Sequence, residues 1–157
     1  MTSHDQNFKN LFSDFPRQAL EWILPQAFEE LGNIHKIEFL RQEPKKRKFS
    51  DPLFILDLPI MFHFAKKKLL LWLVEFQEDK SKFSAYKIAH YTLDMMESHP
   101  DATVIPTVLF TDRIKWRKDV ARELTSEFGT ETYLFFRYVF IKLFEYQAKD
   151  YYDSTNP

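Results

Sequence analysis

Residues 57–77 read Asp57-Leu-Pro-Ile-Met-Phe-His-Phe-Ala-Lys-Lys-Lys-Leu-Leu-Leu-Trp-Leu-Val-Glu-Phe-Gln77, and this stretch decides the fold. Its first run alternates between two sets of apolar residues, as a strand with two unequal faces does. Its second run is apolar without interruption from Leu69 to Val74, as in a strand that is covered on both faces. The basic turn between the two runs predicts a β-hairpin.

The predicted hairpin brings two acidic residues together. Asp57 opens the first strand and Glu75 closes the second, so the two carboxylates are expected to lie side by side at one end of a buried pair. Like charges at the edge of a core repel each other and resist desolvation unless a cation intervenes. Mg²⁺ is a hard cation that suits such oxygen ligands. Asp51 is the rival first acid, and Asp57 is preferred because its distance from Glu75 fits one hairpin.

Four motifs follow one another along the chain. They are His4-Asp-Gln-Asn-Phe-Lys-Asn-Leu-Phe12, then Asp57 with the hairpin and Glu75-Phe-Gln77, then Phe83, Lys87 and Tyr91, and then Val108-Leu-Phe-Thr-Asp112. Together, from about residue 4 to about residue 125, they resemble the PD-(D/E)XK nuclease superfamily. The similarity is to its Rpn/transposase-like branch of recombination-promoting nucleases, whose last motif reads Glu-x-Gln where most of the superfamily has Glu-x-Lys.

The order helix, strand, hairpin, helix, strand predicts an α/β protein with a mixed central sheet and helices on both faces. The resemblance narrows this to a restriction-endonuclease-like core in which the hairpin carries the active site. Residues 1–150 are expected to form a single domain, and residues 151–157 a frayed tail. Because family members extend further, the resemblance implies that a C-terminal portion is lacking.

The resemblance implies a Mg²⁺-dependent DNA endonuclease with little sequence specificity, with Mn²⁺ as a possible substitute for Mg²⁺. Asp57, Glu75 and the backbone carbonyl of Phe76 would bind the metal. Gln77 stands where most of the superfamily has a catalytic lysine, and a glutamine can hydrogen-bond a water but carries no charge. Lys87, on the following helix, is the expected substitute for that lysine.

Four further residues are secondary candidates for the site. A first-helix glutamate sometimes joins the metal site in this superfamily, which makes Glu21 a candidate, although a solvated surface position is the plainer interpretation. Asp5 and Lys9 are four residues apart on the first helix. They would orient the site or bind phosphate, or form an ordinary exposed ion pair. Tyr91 is the fourth candidate, because the resemblance implies a tyrosine at this point after Glu75.

The charge of the chain is unevenly distributed. The net charge of −1 counts against nucleic-acid binding, because affinity for phosphate depends on Lys and Arg. Two clusters are nevertheless strongly basic, and either ordinary solvated loops or contacts with DNA phosphates would explain them. The residues assigned to DNA-phosphate contacts are Lys45, Lys46, Arg47, Lys48, Arg113, Lys115, Arg117 and Lys118.

Composition excludes several other functions. The chain has no cysteine, so any metal must be held by oxygen or nitrogen ligands. No glycine-rich phosphate loop or dinucleotide fingerprint is present, and we expect no nucleotide cofactor. No apolar run approaches the roughly 20 residues of a spanning helix, and the N-terminus is polar. We therefore expect a cytoplasmic protein that does not bind a membrane.

Two alternatives to the nuclease remain open. One is a catalytically inactive nuclease fold that acts as a DNA-binding or protein-interaction module, which the glutamine at position 77 favours. The other is an α/β protein that binds a partner protein through its aromatic C-terminal run. That run is also a possible interface for a homodimer, which paired cuts in DNA would require.

The remaining elements are predicted from periodicity and breakers. Helices are expected over 5–13, from Pro16, and over 80–98, and a basic helix-like segment over 115–124. Strands are expected over 34–40 and 102–110. Pro59 and Pro106 should require edge positions or bulges, because proline lacks an N–H donor. The run 131–149 is ambiguous, and strand is favoured for its first half.

Overall fold

The computed structural model describes residues 4–41, 57–151 and 155. Its helices and strands, in chain order, are α1 (His4–Asp14), α2 (Pro16–Ile23), α3 (Gln26–Leu31), β1 (Ile34–Phe39), β2 (Leu58–Phe64), β3 (Lys68–Gln77), α4 (Ala85–Ser98), β4 (Ala102–Phe110), β5 (Glu123–Phe128), β6 (Glu131–Arg137) and β7 (Val139–Lys142). Short 3₁₀ turns cover Ala65–Lys67, Lys80–Lys82, Leu143–Glu145 and Ala148–Tyr151. Most of the predicted tail, and the side chains of His4 and Asp5, lie outside what is described.

The central sheet has five strands in the order β1-β2-β3-β4-β7. The pairs β1–β2 and β2–β3 are antiparallel, while β3–β4 and β4–β7 are parallel. A parallel pair needs a crossover connection, and α4 supplies it between β3 and β4. This is a mixed sheet flanked by helices, consistent with the restriction-endonuclease-like fold, as the sequence predicted.

The two faces of the sheet bury different residues. Ile60, Phe62 and Phe64 of β2 pack with the α1–α3 side, together with Trp72 of β3. Met61, between them in sequence, packs on the opposite face with residues of α4. The alternation predicted from the sequence is therefore confirmed, because successive strand residues point to opposite faces.

Both strand prolines lie in interior strands with no bulge at either position, so the predicted edge position or bulge is wrong for each. Pro59 is tolerated because it faces the last rung of the β1–β2 ladder, where the Leu40 N–H donates to the Pro59 carbonyl over 3.0 Å. Pro106 precedes Thr107, the first residue of β4 that pairs with β7, so this half of β4 has a neighbouring strand on one side only. In each case the missing N–H falls where the ladder ends.

The segment from Lys115 to Leu124 is not the helix that its charges predicted. Residues 111–122 are irregular, and β5 begins at Glu123. The basic side chains there are exposed, and Trp116 and Val120 pack against the core instead of forming a regular apolar stripe. The run after it is strand, as favoured, but it divides at Tyr138 into β6 and β7, which belong to different sheets.

One edge of the central sheet is β1, and it carries charge. Lys36 Nζ lies 2.5 Å from Glu38 Oε1, and the second oxygen of Glu38 lies 2.6 Å from His63 Nε2 on β2. Lys36 and then His63 hold the pKa of the Glu38 carboxyl below its usual value.

Among the described residues, no helix is long and apolar enough to cross a bilayer.

Candidate active site

The two predicted acids meet at one end of the β2–β3 hairpin. In the antiparallel register Leu58 lies opposite Val74, which places Asp57 directly across from Glu75. The carboxyl ends of β3 and β4 reach the same edge of the sheet, because the two strands are parallel and Gln77 pairs with Phe110. The candidate site therefore lies at the edge of the sheet where β2 begins and where β3 and β4 end.

Each acid binds the backbone of the other strand. The Asp57 N–H donates to Glu75 Oε2 over 3.3 Å, and the Phe76 N–H donates to Asp57 Oδ2 over 2.9 Å. Both interactions are partly buried. The N–H and C=O of one strand residue point to the same side of the strand, so the Phe76 carbonyl also faces the side on which Asp57 lies. Two carboxylates and one carbonyl thus converge on a small region.

A lysine from the first helix reaches this acidic pair. Lys9 Nζ of α1 forms an ion pair with Asp57 Oδ1, and both side chains are less than one-third exposed. The sequence left three roles open for Lys9, namely orienting the site, binding phosphate or forming an exposed ion pair, and its contact with Asp57 fits the first. A cation next to Asp57 offsets part of the repulsion between the two acids.

Gln77 is held at the point where β3 ends. Its side-chain Nε2 donates to the Asp79 carbonyl over 2.6 Å, and its backbone carbonyl accepts the Thr111 N–H over 3.1 Å. Asp79 then caps the following turn by accepting the Ser81 N–H over 2.9 Å. Gln77, which stands where most of the superfamily has a lysine, therefore fixes the turn that follows β3.

Helix α4 places Tyr91 near Glu75, on one face of the sheet. Tyr91 is half-buried and packs beside Leu71 and Leu73. Burial, then the carboxylate of Asp94, then that of Glu75 raise the pKa of Tyr91 to about 12. Lys87 lies one turn earlier on the same helix and is exposed. Tyr91 thus remains a neutral phenol, able to donate a hydrogen bond, at physiological pH.

The effect of Glu75 on Tyr91 can be measured. Glu75→Gln and Asp94→Asn are each expected to lower the pKa of Tyr91, which stays above the ordinary value near 10 because burial is the largest cause. Ultraviolet absorbance titration, with Tyr91→Phe subtracted to remove the other tyrosines, measures this pKa. An unchanged value in Glu75→Gln would show that the two groups do not interact.

The same titration has a consequence for stability. The pKa of Tyr91 is raised in the folded state, so the folded protein binds the phenolic proton more tightly than the unfolded chain does. Its stabilising contribution is therefore fully present below about pH 10 and is lost as the pH rises through about 12. Tyr91→Phe is expected to remove this part of the alkaline loss of stability.

The strand next to β3 is followed by a buried acid, Asp112. Asp112 Oδ1 accepts the indole N–H of Trp116 over 2.8 Å and the Ile114 N–H over 3.2 Å. Lys142, buried at the end of β7, donates to the Ile114 carbonyl over 2.9 Å and lies 4.5 Å from the centre of the Trp116 ring. These contacts hold the start of the basic segment against the sheet.

A comparison of the whole chain with protein families decides its relationship. The family described as "Putative transposase, YhgA-like" matches residues 2–149. The chain belongs to this family. The family is part of the PD-(D/E)XK group of Rpn-like transposases, so the resemblance seen in the motifs is confirmed. Comparison with curated proteins and with solved structures gave no match.

The structure describes only some of the other residues predicted for the site. Glu21 is exposed on α2, and the Asp5 side chain lies outside the described part of the structure. Asp51 also lies outside it, as does the first basic cluster, Lys45, Lys46, Arg47 and Lys48. The second basic cluster is described and fully exposed in the segment that follows β4, with the members Arg113, Lys115, Arg117 and Lys118.

The donor set suits a hard cation. Within residues 4–41 and 57–151, no group of three or more His, Asp or Glu side chains is arranged to hold a metal. Asp57, Glu75 and the Phe76 carbonyl would supply few protein ligands, all oxygen, which is the pattern for Mg²⁺, an ion that retains several waters. It would not suit Zn²⁺, which favours nitrogen and sulfur donors and a closed tetrahedral site.

Two features of the site could not be read from the sequence. The pairing of Lys9 with Asp57 joins residues far apart in sequence, and the sequence offered a role for Lys9 at the site without indicating this partner. The anchoring of Trp116 by Asp112 was likewise hidden. The Thr111-Asp112 motif was the available signal, since an acid at the end of a buried strand needs hydrogen-bond donors.

Proposed function

We propose that the chain is a Mg²⁺-dependent DNA endonuclease of the transposase or recombination-promoting type, which hydrolyses phosphodiester bonds with little sequence specificity. The observation that carries this proposal is the pairing of Asp57 with Glu75 at the open end of the hairpin, with 3.3 Å between the Asp57 nitrogen and the Glu75 carboxylate. Membership of the transposase family supports DNA as the substrate.

The two acids and the Phe76 carbonyl would hold the metal. Bound Mg²⁺ supplies Lewis-acid polarisation of a phosphate oxygen and makes water more acidic. The protein's own task is to fix the position of its oxygen donors. The backbone hydrogen bonds from Phe76 to Asp57 and from Asp57 to Glu75 do this, because they set the carboxylates relative to rigid strands.

Lys9 supplies positive charge where the superfamily's lysine is replaced. Lys9 contacts Asp57 directly, whereas the side chain of Gln77 is bound to the Asp79 carbonyl. A charged lysine stabilises negative charge that develops on a phosphate, and a glutamine amide does this less well. We therefore assign this role to Lys9 ahead of Lys87, and Tyr91 is placed to donate a hydrogen bond near Glu75.

The exposed basic segment would contact the DNA backbone. Arg113 to Lys118 follows β4 at the same edge of the sheet as Gln77, to which Thr111 is hydrogen-bonded. Lys80 also reaches this segment, since its Nζ donates to the Lys118 carbonyl and lies 4.7 Å from the centre of the Trp116 ring. Contacts with phosphates position a duplex without reading its sequence, which fits low specificity.

A second candidate function is supported by two contacts in the site. Lys9 already neutralises part of the charge of Asp57, and Gln77 fixes a turn. Both contacts fit a nuclease fold that has lost catalysis and acts as a DNA-binding module.

A plasmid assay separates these functions. Two supercoiled plasmids of unrelated sequence are incubated with the full chain in Mg²⁺, Mn²⁺, Ca²⁺ or EDTA, and DNA retention is measured in parallel. The endonuclease is expected to nick both plasmids with Mg²⁺ or Mn²⁺ and neither with EDTA. Retention without nicking indicates the binding module. Nicking that persists in EDTA, or neither nicking nor retention at low salt, contradicts the proposal.

A further inference from the structure

Asp112, which follows the end of β4, is a buried acid with one unpaired oxygen. The residue is only 8% exposed. Its Oδ1 accepts two hydrogen bonds, whereas its Oδ2 is buried and has no hydrogen-bond partner among the described residues. A carboxylate oxygen left unpaired in a protein interior lowers stability. Such a departure is expected at positions whose role is something other than stability.

Asp112 and a buried cation hold the backbone of the same residue, Ile114. The Ile114 N–H donates to Asp112 Oδ1 over 3.2 Å, and the Ile114 carbonyl accepts from Lys142 Nζ over 2.9 Å. The Ile114 side chain is exposed, so apolar burial does little to fix this residue. Lys142 itself is buried. Its ammonium group therefore serves the protein chain and is not presented to a phosphate in solution.

Trp116 is the second residue that Asp112 holds. Its indole N–H donates to Asp112 Oδ1 over 2.8 Å. The ammonium groups of Lys142 and Lys80 lie 4.5 Å and 4.7 Å from the centre of the Trp116 ring. Cations at this distance are attracted to the π-electrons of an indole. One carboxylate oxygen thus binds two points of the segment, and two lysines reinforce the second point.

The residues that Asp112 holds alternate with exposed cations. Ile114 and Trp116 are fixed, and the basic side chains around them are exposed. These cations are Arg113, Lys115, Arg117 and Lys118. The segment begins where the Thr111 N–H donates to the Gln77 carbonyl over 3.1 Å, at the end of β3. The contacts of Asp112 therefore hold four cations in place at the edge of the sheet that carries the candidate site.

We propose that Asp112 is a positioning residue for DNA. Through Ile114 and Trp116 it places the four exposed cations where they meet the phosphates of a duplex at the candidate site. The inference rests on the proposed function, since it takes DNA phosphates as the ligand. It goes further by assigning part of the affinity for DNA to an acid that touches no phosphate. Lys142 acts in the same way through the Ile114 carbonyl.

Charge alone predicts the opposite effect of removing this acid. A carboxylate next to four cations lowers the local positive potential, so its loss should strengthen binding to phosphates. If Asp112 positions the cations, its loss releases the segment and weakens binding, although the chain becomes more positive. The sign of the change therefore separates a positioning role from a purely electrostatic one.

Asp112→Ala in the full chain tests this sign. Filter binding of a linear duplex is measured over a series of salt concentrations, with Ca²⁺ in place of Mg²⁺. The dissociation constant is expected to rise at least about tenfold at about 0.1 M salt. The slope of log affinity against log salt should fall by about 2 or more, since each lost phosphate contact removes about 0.9.

An exposed acid of the same segment provides the matched control. Asp119 forms an ion pair with Arg122 over 2.8 Å and makes no contact with Ile114 or Trp116 in the described part of the chain. Asp119→Ala changes the net charge by the same amount as Asp112→Ala. It is expected to bind the duplex at least as tightly as the wild type does.

Two further variants separate hydrogen bonding from charge. Asp112→Asn loses the charge but keeps an oxygen that can accept from Trp116, and should bind within about threefold of wild type. Lys142→Met removes the ammonium that holds Ile114 and should weaken binding as Asp112→Ala does. Hydrogen exchange of the Trp116 indole N–H, assigned by its loss in Trp116→Phe, needs no DNA. It should be faster in Asp112→Ala than in the wild type or Asp112→Asn.

Two results would overturn the inference and leave the proposed function standing. One is a folded Asp112→Ala variant that binds DNA as well as or better than a wild type that retains it. The other is an unchanged exchange rate of the Trp116 indole in that variant. If circular dichroism shows that Asp112→Ala is unfolded, binding by Lys142→Met decides by the same criterion. A wild type that retains no DNA at low salt contradicts the proposed function itself, and this inference with it.

Discussion

Glu75→Gln is expected to reduce Mg²⁺-dependent nicking of plasmid DNA by on the order of 10³-fold, because charge stabilisation by a bound metal contributes several kcal/mol to the transition state. Glutamine has nearly the same size and retains an oxygen that can accept the Asp57 N–H, so the hairpin is preserved. What the substitution removes is one negative charge from a site with two acids. Single-turnover nicking rates at saturating protein measure the change.

The strand exit provides a matched control for this variant. Glu78 lies three residues further along, is exposed, and should tolerate the same change with a rate within about twofold of wild type. Asp57→Asn is a less clean test, because it also alters the contacts of Asp57 with Lys9 and with the Phe76 N–H. Equal rates for wild type and Glu75→Gln, with metal-dependent nicking in both, would exclude Glu75 from the catalytic site.

Trp72→Ala is expected to lower the free energy of unfolding by about 3–5 kcal/mol, the range for truncating a large buried aromatic residue. Trp72 is fully buried in the central strand β3. Its ring stacks on Phe12 of α1 with centroids 5.6 Å apart and tilts against Phe62 of β2 at 6.3 Å. The cavity left would therefore separate the first helix from the sheet. Urea unfolding followed by circular dichroism measures the loss.

The indole nitrogen allows a finer test of the same region. Trp72 Nε1 donates to Thr107 Oγ1 over 2.8 Å in the buried core. Thr107→Val leaves this N–H without its acceptor and should cost about 1–3 kcal/mol. Thr107→Ser keeps the hydroxyl and should cost less.

A Trp72→Ala variant that loses less than about 1 kcal/mol would mean that the core closes around the gap.

The fold was readable from the sequence wherever the pattern had one interpretation. Pro16 begins α2, Gly32 ends α3 with a φ of +83°, and β4 occupies the predicted residues. In the hairpin, the alternation of the first strand and the continuous apolar run of the second each indicated which side chains are buried. Local propensity and tertiary burial agree in these elements, so neither had to override the other.

The errors lie where burial of a few residues outweighs the local pattern. Lys115 to Leu124 has the charge of a helix surface, but Trp116 is held by Asp112, and Arg122 lies 3.9 Å from the centre of the Phe140 ring. Asp112 is near Trp116 in sequence whereas Phe140 is far from Arg122, and the two contacts together fix an irregular chain. The division between β6 and β7 was hidden for a similar reason, since the residues on both sides of Tyr138 are equally strand-prone.

The candidate site could be predicted in part. Hairpin geometry alone led to the neighbouring positions of Asp57 and Glu75, because register follows from the turn. The roles assigned to these acids, to Gln77 and to Lys87 remain predictions. Lys9 was a secondary candidate, but its partner could not be assigned, since the docking of α1 on the sheet depends on packing around Phe12 and Trp72 and not on any local signal.

The charged strand β1 makes one edge of the central sheet a poor place for another strand to pair. Lys36 and Glu38 interleave opposite signs along the outer margin of the large sheet, and any strand that docked there would have to strip water from both. Sheet extension at this margin is thereby discouraged.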